Sequence, residues 1–169
     1  MSVRLVIDTN VLMIADRRGS DITQLCVDSA IECVASLSDG NVICLDEDDA
    51  ILDEYAANIK EIRPYSLVAK LLIDLRLQRY SASNIHRAPL PKNHAGEYKD
   101  CPQSLIDANF DRSDRKFVAL AKVTEATVCN AVDTDWFDHA DLLCREGIQV
   151  NNLCGTDPDR YRATPSSAG

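Results

Sequence analysis

The sequence has no apolar run longer than a handful of residues, so we expect no membrane-spanning segment. Its N-terminus lacks a basic region followed by an apolar core, which argues against a secretory signal peptide. The seven cysteines form no CxxC pair, and the histidines His86, His94 and His139 are not spaced for a zinc site. These absences predict a cytoplasmic protein whose cysteines are reduced thiols on apolar faces.

The length of 169 residues, 46% of them hydrophobic, suits one globular domain. We predict that domain over residues 1–155 and a flexible tail over residues 156–169, which are rich in proline and serine. The net charge of −9 argues against a nucleic-acid partner, but residues 60–99 are basic. This distribution fits a protein that binds a metal in one place and an anion beside it, although solvated helix faces and loops would give the same pattern.

Short apolar strands alternate with helical patterns along the chain. Strands are predicted at 3–7, 41–45, 126–132 and 148–153, and helices at 21–38, 50–62, 65–80, 105–109, 113–123 and 136–147. This alternation predicts an α/β fold with a parallel sheet and helices on both faces. The helix at 65–80 is apolar on most sides, which predicts burial or an interface, and 81–102 has the composition of a long loop.

Carboxylates follow the strands or begin the helices at one edge of this sheet. Asp8 ends the first strand, Asp133 and Asp135 follow the strand at 126–132, Asp114 begins the preceding helix, and Glu54 lies one turn into another. Clustered carboxylates are stable only when protonated or bound to cations, and oxygen ligands suit Mg²⁺ or Mn²⁺. Such ions promote attack of water on a phosphoryl group, so the pattern predicts phosphodiester hydrolysis.

Each acid also has an ordinary structural explanation when it is taken alone. Asp8 and Asp114 could be helix caps, with Asp111 sharing the second cap, and Glu54 could be an exposed helix residue. The "DTD" step at 133–135 is harder to explain as turn chemistry alone, because Trp136 follows it directly. The joint pattern therefore carries the prediction.

Four motifs resemble, in order, those of the PIN domain family, small metal-dependent ribonucleases that include the VapC-type toxins. "VIDTNVL" resembles the opening motif, "ILDEY" the second, "FDRSDRKFVALA" the third and "NAVDTDWF" the fourth. The resemblance runs from residue 3 to about residue 153, but the helix at 65–80 and residues 81–102 match no motif. It implies a three-layer α/β/α fold with a central, mostly parallel sheet, a Mg²⁺ or Mn²⁺ cofactor, and endonucleolytic cleavage of RNA.

The same resemblance implies roles for the acids. Asp8, Asp114 and Asp133 would be metal ligands, and Asp135 would complete the site or bind a second ion. Glu54 would orient the attacking water directly or through metal-bound water.

The remaining roles concern neighbours of the motifs. Thr9 and Asn10 would hold Asp8 and its turn in place. The basic side chains that could contact the RNA backbone are Arg112, Arg115, Lys116, Arg17 and Arg18. Expected partners are RNA, an antitoxin or another protein, and a second copy of the chain through the 65–80 helix. A toxin, an antiviral defence effector and an RNA-processing enzyme all fit.

Two other functions are compatible with parts of the pattern. A haloacid-dehalogenase-like phosphatase also has an aspartate after its first strand. It needs a second aspartate two residues later as general acid, and this chain has Asn10 at that position. A non-catalytic module of the same fold, binding RNA or protein without cleavage, is the other alternative.

Overall fold

The computed structural model describes residues 2–18, 21–59, 65–77 and 84–162, and these contain one five-stranded sheet. The strands are β1 (Arg4–Ile7), β2 (Val42–Asp46), β3 (Ile85–Ala88), β4 (Thr127–Asn130) and β5 (Val150–Asn152). Their order is β3-β2-β1-β4-β5, and every neighbouring pair is parallel. The predicted α/β class, with a three-layer α/β/α PIN-like fold, is confirmed.

Nine helices lie within the described residues. They are α1 (Thr9–Ala15), α2 (Gln24–Ala35), α3 (Ala50–Asn58), α4 (Leu67–Arg76), α5 (Gln103–Asp107), α6 (Arg115–Thr124), α7 (Asp135–Asp138), α8 (Ala140–Arg145) and α9 (Pro158–Tyr161). Helices α1 to α4 contact one another, whereas α6 contacts the strands β1 to β4. In the described part of the chain, no helix has the length and apolarity needed to cross a bilayer.

The strands β1, β2 and β4 are nearly continuous buried apolar runs, as expected of a parallel sheet covered on both faces. The carboxyl end of β2 also fixes the helix that follows it. Asp46 accepts hydrogen bonds from the backbone N–H groups of Ala50 (2.8 Å) and Ile51 (2.9 Å), so it caps α3. This cap sets the position of Glu54 one turn further on.

Two elements differ from the sequence-based prediction. Residues 9–15, for which no helix was predicted, form α1, because Asp8 caps the helix and Val11, Leu12 and Ile14 are buried. Residues 85–88, predicted as loop, form β3, an edge strand paired with β2. The sequence "IHRA" is only half buried there, so no apolar run marks it as a strand.

The apolar helix α4 buries most of its hydrophobic side chains in the chain's own core. Its buried residues are Val68, Ala69, Leu71, Leu72 and Leu75. Ile73 remains 39% exposed and Leu77, at the end of the helix, 55% exposed. Self-association through the helix predicted at 65–80 stays a prediction, and residues 78–80 lie outside the described residues.

The C-terminal segment packs on the domain further than expected. Tyr161 in α9 is buried, and its hydroxyl donates to the backbone oxygen of Val132 at 3.3 Å. Arg162 forms an antiparallel bridge with Ile22. The aromatic anchor therefore extends the folded part beyond residue 155, and residues 163–169 of the predicted tail lie outside the described residues.

The prediction that the cysteines are reduced is wrong for two of the seven. Cys26 and Cys154 form a disulfide with a Cα–Cα distance of 4.9 Å, joining α2 to the segment after β5. Four of the remaining thiols are buried and that of Cys144 is exposed. No local sequence pattern marked the bonded pair, because its members are separated by 128 positions.

Candidate metal centre

Asp8, Asp114 and Asp133 each bring a carboxylate oxygen to within 4.8 Å of the other two. Asp8 directly follows β1 and Asp133 follows β4, and these two strands are parallel neighbours. Asp114 is the residue before α6. The carboxyl ends of parallel strands meet at one edge of the sheet, so this topology brings the three acids together.

The carboxylate of Asp8 is held by two N–H donors and is only 3% exposed. The backbone N–H of Asn10 donates to Oδ1 at 3.1 Å, and the indole Nε1–H of Trp136 donates to Oδ2 at 2.5 Å. Trp136 is fully buried and makes an edge contact with Phe110. Its position thus fixes the orientation of the Asp8 carboxylate.

Burial and mutual repulsion raise the pKa values of all three carboxyl groups. Burial raises the pKa of Asp8 to about 7, opposed by the hydrogen bonds from Asn10 and Trp136. Burial, followed by the charges of Asp8 and Asp133, raises the pKa of Asp114 to about 8. The pKa of Asp133 is also raised, chiefly by burial. The cluster therefore favours the uptake of positive charge, either as protons or as a cation.

Glu54 lies next to these three acids, and protein donors contact both of its oxygens. The hydroxyl of Thr9 donates to Oε1 at 2.7 Å, and the ammonium of Lys116 forms an ion pair with Oε2. Lys116 also donates to the backbone oxygen of Ser113 at 2.6 Å. Thr9 thus holds Glu54, rather than Asp8 as the sequence predicted.

Asp135 uses one of its oxygens in a contact outside the group of three aspartates. Its Oδ2 accepts a hydrogen bond from the backbone N–H of Asp111 at 2.9 Å, while its own N–H donates to Asp133 Oδ1 at 3.0 Å. Asp111 in turn accepts from both the N–H and the hydroxyl of Ser113, which lowers its pKa. Among the described residues, the group that could hold a metal ion is Asp8, Asp114 and Asp133.

Asn10 ties the turn after β1 to the end of β4. Its Nδ2 donates to Asn130 Oδ1 at 3.1 Å, and its Oδ1 accepts from the backbone N–H of Ala131 at 2.8 Å. Asn130 extends the connection by donating to the backbone oxygen of Asp133 at 2.9 Å. Both the nitrogen and the oxygen of the Asn10 side-chain amide therefore hold the turn after β1 against the loop that carries Asp133.

The basic side chains predicted to contact RNA fall into two groups. Arg115 and Lys116 are held inside the protein: Arg115 Nη1 donates to Glu97 Oε1 at 3.0 Å. Arg18 donates to Asp16 at 2.6 Å, with its side chain 19% exposed. These three side chains are paired with acidic side chains of the protein, so in this arrangement they are not placed to bind an RNA phosphate.

Arg112 and Arg17 form the second group. The side chain of Arg112 is 73% exposed, with a 3.7 Å ion pair to Glu97, and Arg17 is exposed at the end of α1. These two keep surface positions from which they could reach a polyanion.

Two residues of the site were not among the predicted ones, namely Trp136 and Asn130. The chain contains a single tryptophan, directly after the "DTD" step, which is the sequence signal for the first. Asn130 lies at the end of a buried strand and is itself fully buried. A buried amide at a strand end needs polar partners, so its position was a usable signal.

Comparisons with known proteins give similarity in structure and none in sequence. No family model matches the chain, and no curated protein matches it. VapBC2 from Rickettsia felis, solved bound to a DNA fragment from their promoter, is 14% identical with a TM-score of 0.50, covering 89% of this chain and 98% of that one. FitAcB from Neisseria gonorrhoeae is 18% identical with a TM-score of 0.48, covering 88% and 97%.

These findings overturn the membership of the PIN domain family that the four motifs suggested. An identity of 14% to VapBC2 shows a shared fold alone, and VapBC2 is the name of an assembly, so the similarity does not identify this chain with a PIN-domain toxin. Fold by itself does not imply function. The chain therefore has an α/β/α fold similar to that of a chain of VapBC2.

Proposed function

We propose that this protein is a Mg²⁺- or Mn²⁺-dependent endoribonuclease that hydrolyses RNA phosphodiester bonds. The observation that carries the proposal is the convergence of Asp8, Asp114 and Asp133, whose oxygens lie within 4.8 Å of one another. Their raised pKa values mean that three negative charges are unfavourable there without a counter-ion. A set of carboxylate oxygens alone fits a hard divalent cation, and it lacks the nitrogen and sulfur ligands typical of zinc.

Asp8, Asp114 and Asp133 would hold the ion, which when bound stabilises the negative charge that develops on the phosphoryl group. The protein's own contribution is orientation. Trp136 and Asn10 fix the Asp8 carboxylate, and the Asn10–Asn130 connection fixes the loop of Asp133.

Glu54 is the residue best suited to orient the attacking water. Thr9 and Lys116 hold its two oxygens in place, and each carboxylate oxygen keeps a second lone pair that can accept a hydrogen bond. Glu54 would bind the attacking water through one of these lone pairs and accept its proton. Asp135 contributes indirectly, by linking the loop of Asp111 to that of Asp133.

The test is incubation of a mixed RNA pool with the purified protein and Mg²⁺ or Mn²⁺, followed by mapping of the cut ends. We expect cleavage that EDTA prevents and that Asp8→Asn or Asp114→Asn reduces by at least about a hundredfold. Asp53→Asn, an exposed acid one residue before Glu54, is the matched control and should cleave normally. Full activity of both site variants would refute the proposal, and cleavage of DNA of the same sequence alone would refute the choice of RNA.

We also propose a toxin–antitoxin setting, with a small protein antitoxin as partner. What supports it is the similarity in fold to VapBC2, an assembly solved with DNA from its own promoter. The test is expression of the chain in bacteria with and without its neighbouring open reading frames. Growth arrest that Asp114→Asn abolishes and that a neighbouring gene relieves would support this setting, whereas normal growth at high expression would contradict it.

A further inference from the structure

Lys116 pairs a buried positive charge with Glu54, the acid whose own charge acts on Asp8 and Asp114. Its residue is only 9% exposed, although lysine is rarely so buried. The ammonium is fixed by the ion pair with Glu54 Oε2 and by a 2.6 Å hydrogen bond to the Ser113 backbone oxygen. It also lies 5.2 Å from the ring centroid of Phe117, within cation–π range.

The five predicted acids differ in the groups that their oxygens contact. Asp8, Asp114 and Asp133 turn their oxygens toward one another, whereas Glu54 is engaged by Thr9 and Lys116. Asp135 is engaged by the backbone N–H of Asp111. A second divalent ion in this site would need oxygens from Glu54 or Asp135, and Glu54 is the acid whose oxygen is paired with a buried ammonium group.

The ammonium also opposes a second ion through its own charge. Two like charges in a buried site repel strongly, since the low local dielectric strengthens their interaction. An ion at Glu54 would either lie beside the buried ammonium, which repels it, or displace Lys116 from Oε2 and leave the ammonium buried without its partner, which is costly. One divalent ion at the three aspartates requires neither change.

We propose that Lys116 is a built-in cation that takes the place of a second metal ion, so that the centre binds one divalent ion per chain and Glu54 is kept from being a ligand. This inference rests on the metal site of the proposed function. It deepens that proposal by specifying the number of ions and by assigning Lys116, predicted from sequence to contact RNA, to the centre itself. Lys116 acts here as a positioning residue for Glu54.

The experiment is calorimetric titration of the metal-free protein with Mn²⁺, with free Mn²⁺ counted in parallel by electron paramagnetic resonance. We expect one ion per chain for the unmodified protein and two for Lys116→Met, which keeps the length of the apolar stem and removes the charge. Lys122→Met is the matched control, because Lys122 is on the same helix but 43% exposed and paired with Glu146. It should bind one ion.

The double variant Lys116→Met/Glu54→Gln guards against misfolding, since it leaves no unpaired buried charge. It should fold and bind one ion, because the released carboxylate that would hold the second ion is gone. Two ions on the unmodified protein, or one ion on a folded Lys116→Met, would overturn the inference, and so would no binding at all. One ion without RNA cleavage would leave the inference intact while refuting the proposed function.

Discussion

Replacing Asp114 by asparagine should stabilise the metal-free protein at neutral pH and abolish its affinity for divalent ions. Asp114 is 6% exposed and lies among other carboxylates, so its charged form is unfavourable in the folded state. A hydrogen bond links its side chain to Asp133 and lowers the pKa of that group. Asparagine has nearly the same shape and can donate the same hydrogen bond without carrying a charge.

The pKa of Asp114 sets the magnitude and the sign of the effect. It rises from 3.8 to about 8 on folding, so between these values the folded protein binds more protons than the unfolded chain. The free energy of unfolding therefore falls as the pH rises through this range, by at most about 1.4 kcal/mol per pH unit. At pH 7 the raised pKa of Asp114 would lower the free energy of unfolding by about 4 kcal/mol. Because Asp8 and Asp133 share the repulsion, we expect Asp114→Asn to raise the free energy of unfolding by roughly 2 to 4 kcal/mol.

Urea unfolding in EDTA measures the difference in free energy of unfolding between the variant and the wild-type protein. It is done at about pH 4.5 and about pH 7, near the two ends of the pH range over which the Asp114 carboxyl affects stability. Trp136, the single tryptophan, is fully buried and reports unfolding by its fluorescence. At pH 7 the gain in Asp114→Asn corresponds to a rise of about 5 to 15 °C in Tm for a chain of this size. At about pH 4.5 the gain should fall to about 1 kcal/mol or less, because this pH is less than one unit above the value of 3.8 at which the carboxyl titrates in the unfolded chain.

The matched control is Asp53→Asn, which removes an exposed acid from the first turn of α3. Its stability should change by less than about 1 kcal/mol at either pH. Mn²⁺ at about a hundredfold excess over Kd should stabilise the wild-type protein by about 2.7 kcal/mol and leave Asp114→Asn unchanged. A variant that is less stable than wild type at pH 7, or a gain that does not depend on pH, would refute the account of a repulsive carboxylate cluster.

Trp136→Phe removes the N–H that donates to Asp8, so the pKa of Asp8 should rise and the affinity for Mn²⁺ at neutral pH should fall by about tenfold. Calorimetric titration with Mn²⁺ measures this affinity, and an unchanged affinity would contradict the prediction. Cys154→Ser removes the disulfide to Cys26, which closes a long loop, and should lower the free energy of unfolding by about 3 to 5 kcal/mol. Dithiothreitol should reproduce that loss in the wild-type protein, and no effect of the reductant would contradict the disulfide. Asn10→Ala breaks the connection to β4 and should cost about 2 kcal/mol in urea unfolding; a loss below about 0.5 kcal/mol would show that this connection is not stabilising.

The order of strands and helices was accessible from the sequence where burial leaves a clear pattern. The apolar runs of β1, β2 and β4 and the helices at 50–58 and 115–124 are examples. The edge strand β3 was not accessible, because one of its sides is open and its residues are mixed in polarity. Helix α1 was not predicted because it is short and because its cap, Asp8, was interpreted mainly as a metal ligand.

The candidate site, too, was only partly predictable from the sequence. The placement of Asp8 and Asp133 after neighbouring strands follows from the parallel topology, and Asp114 follows from the start of α6. The direction of each side chain does not follow from it. Asp133 and Asp135 are two positions apart, yet Asp133 brings an oxygen within 4.8 Å of those of Asp8 and Asp114, whereas Asp135 accepts from the backbone N–H of Asp111.

The alternation of strands and helices, with "VIDTNVL" and its three companion motifs, was thus sufficient to determine an α/β fold with acids at the carboxyl edge of a parallel sheet. Periodicity and strand-end position are local properties of the sequence. Only the tertiary structure decided that Lys116 pairs with Glu54, that Trp136 donates to Asp8, and that Cys26 bonds to Cys154. These contacts join residues far apart in the chain. Their formation depends on ångström-scale distances and side-chain directions, which neither composition nor spacing specifies.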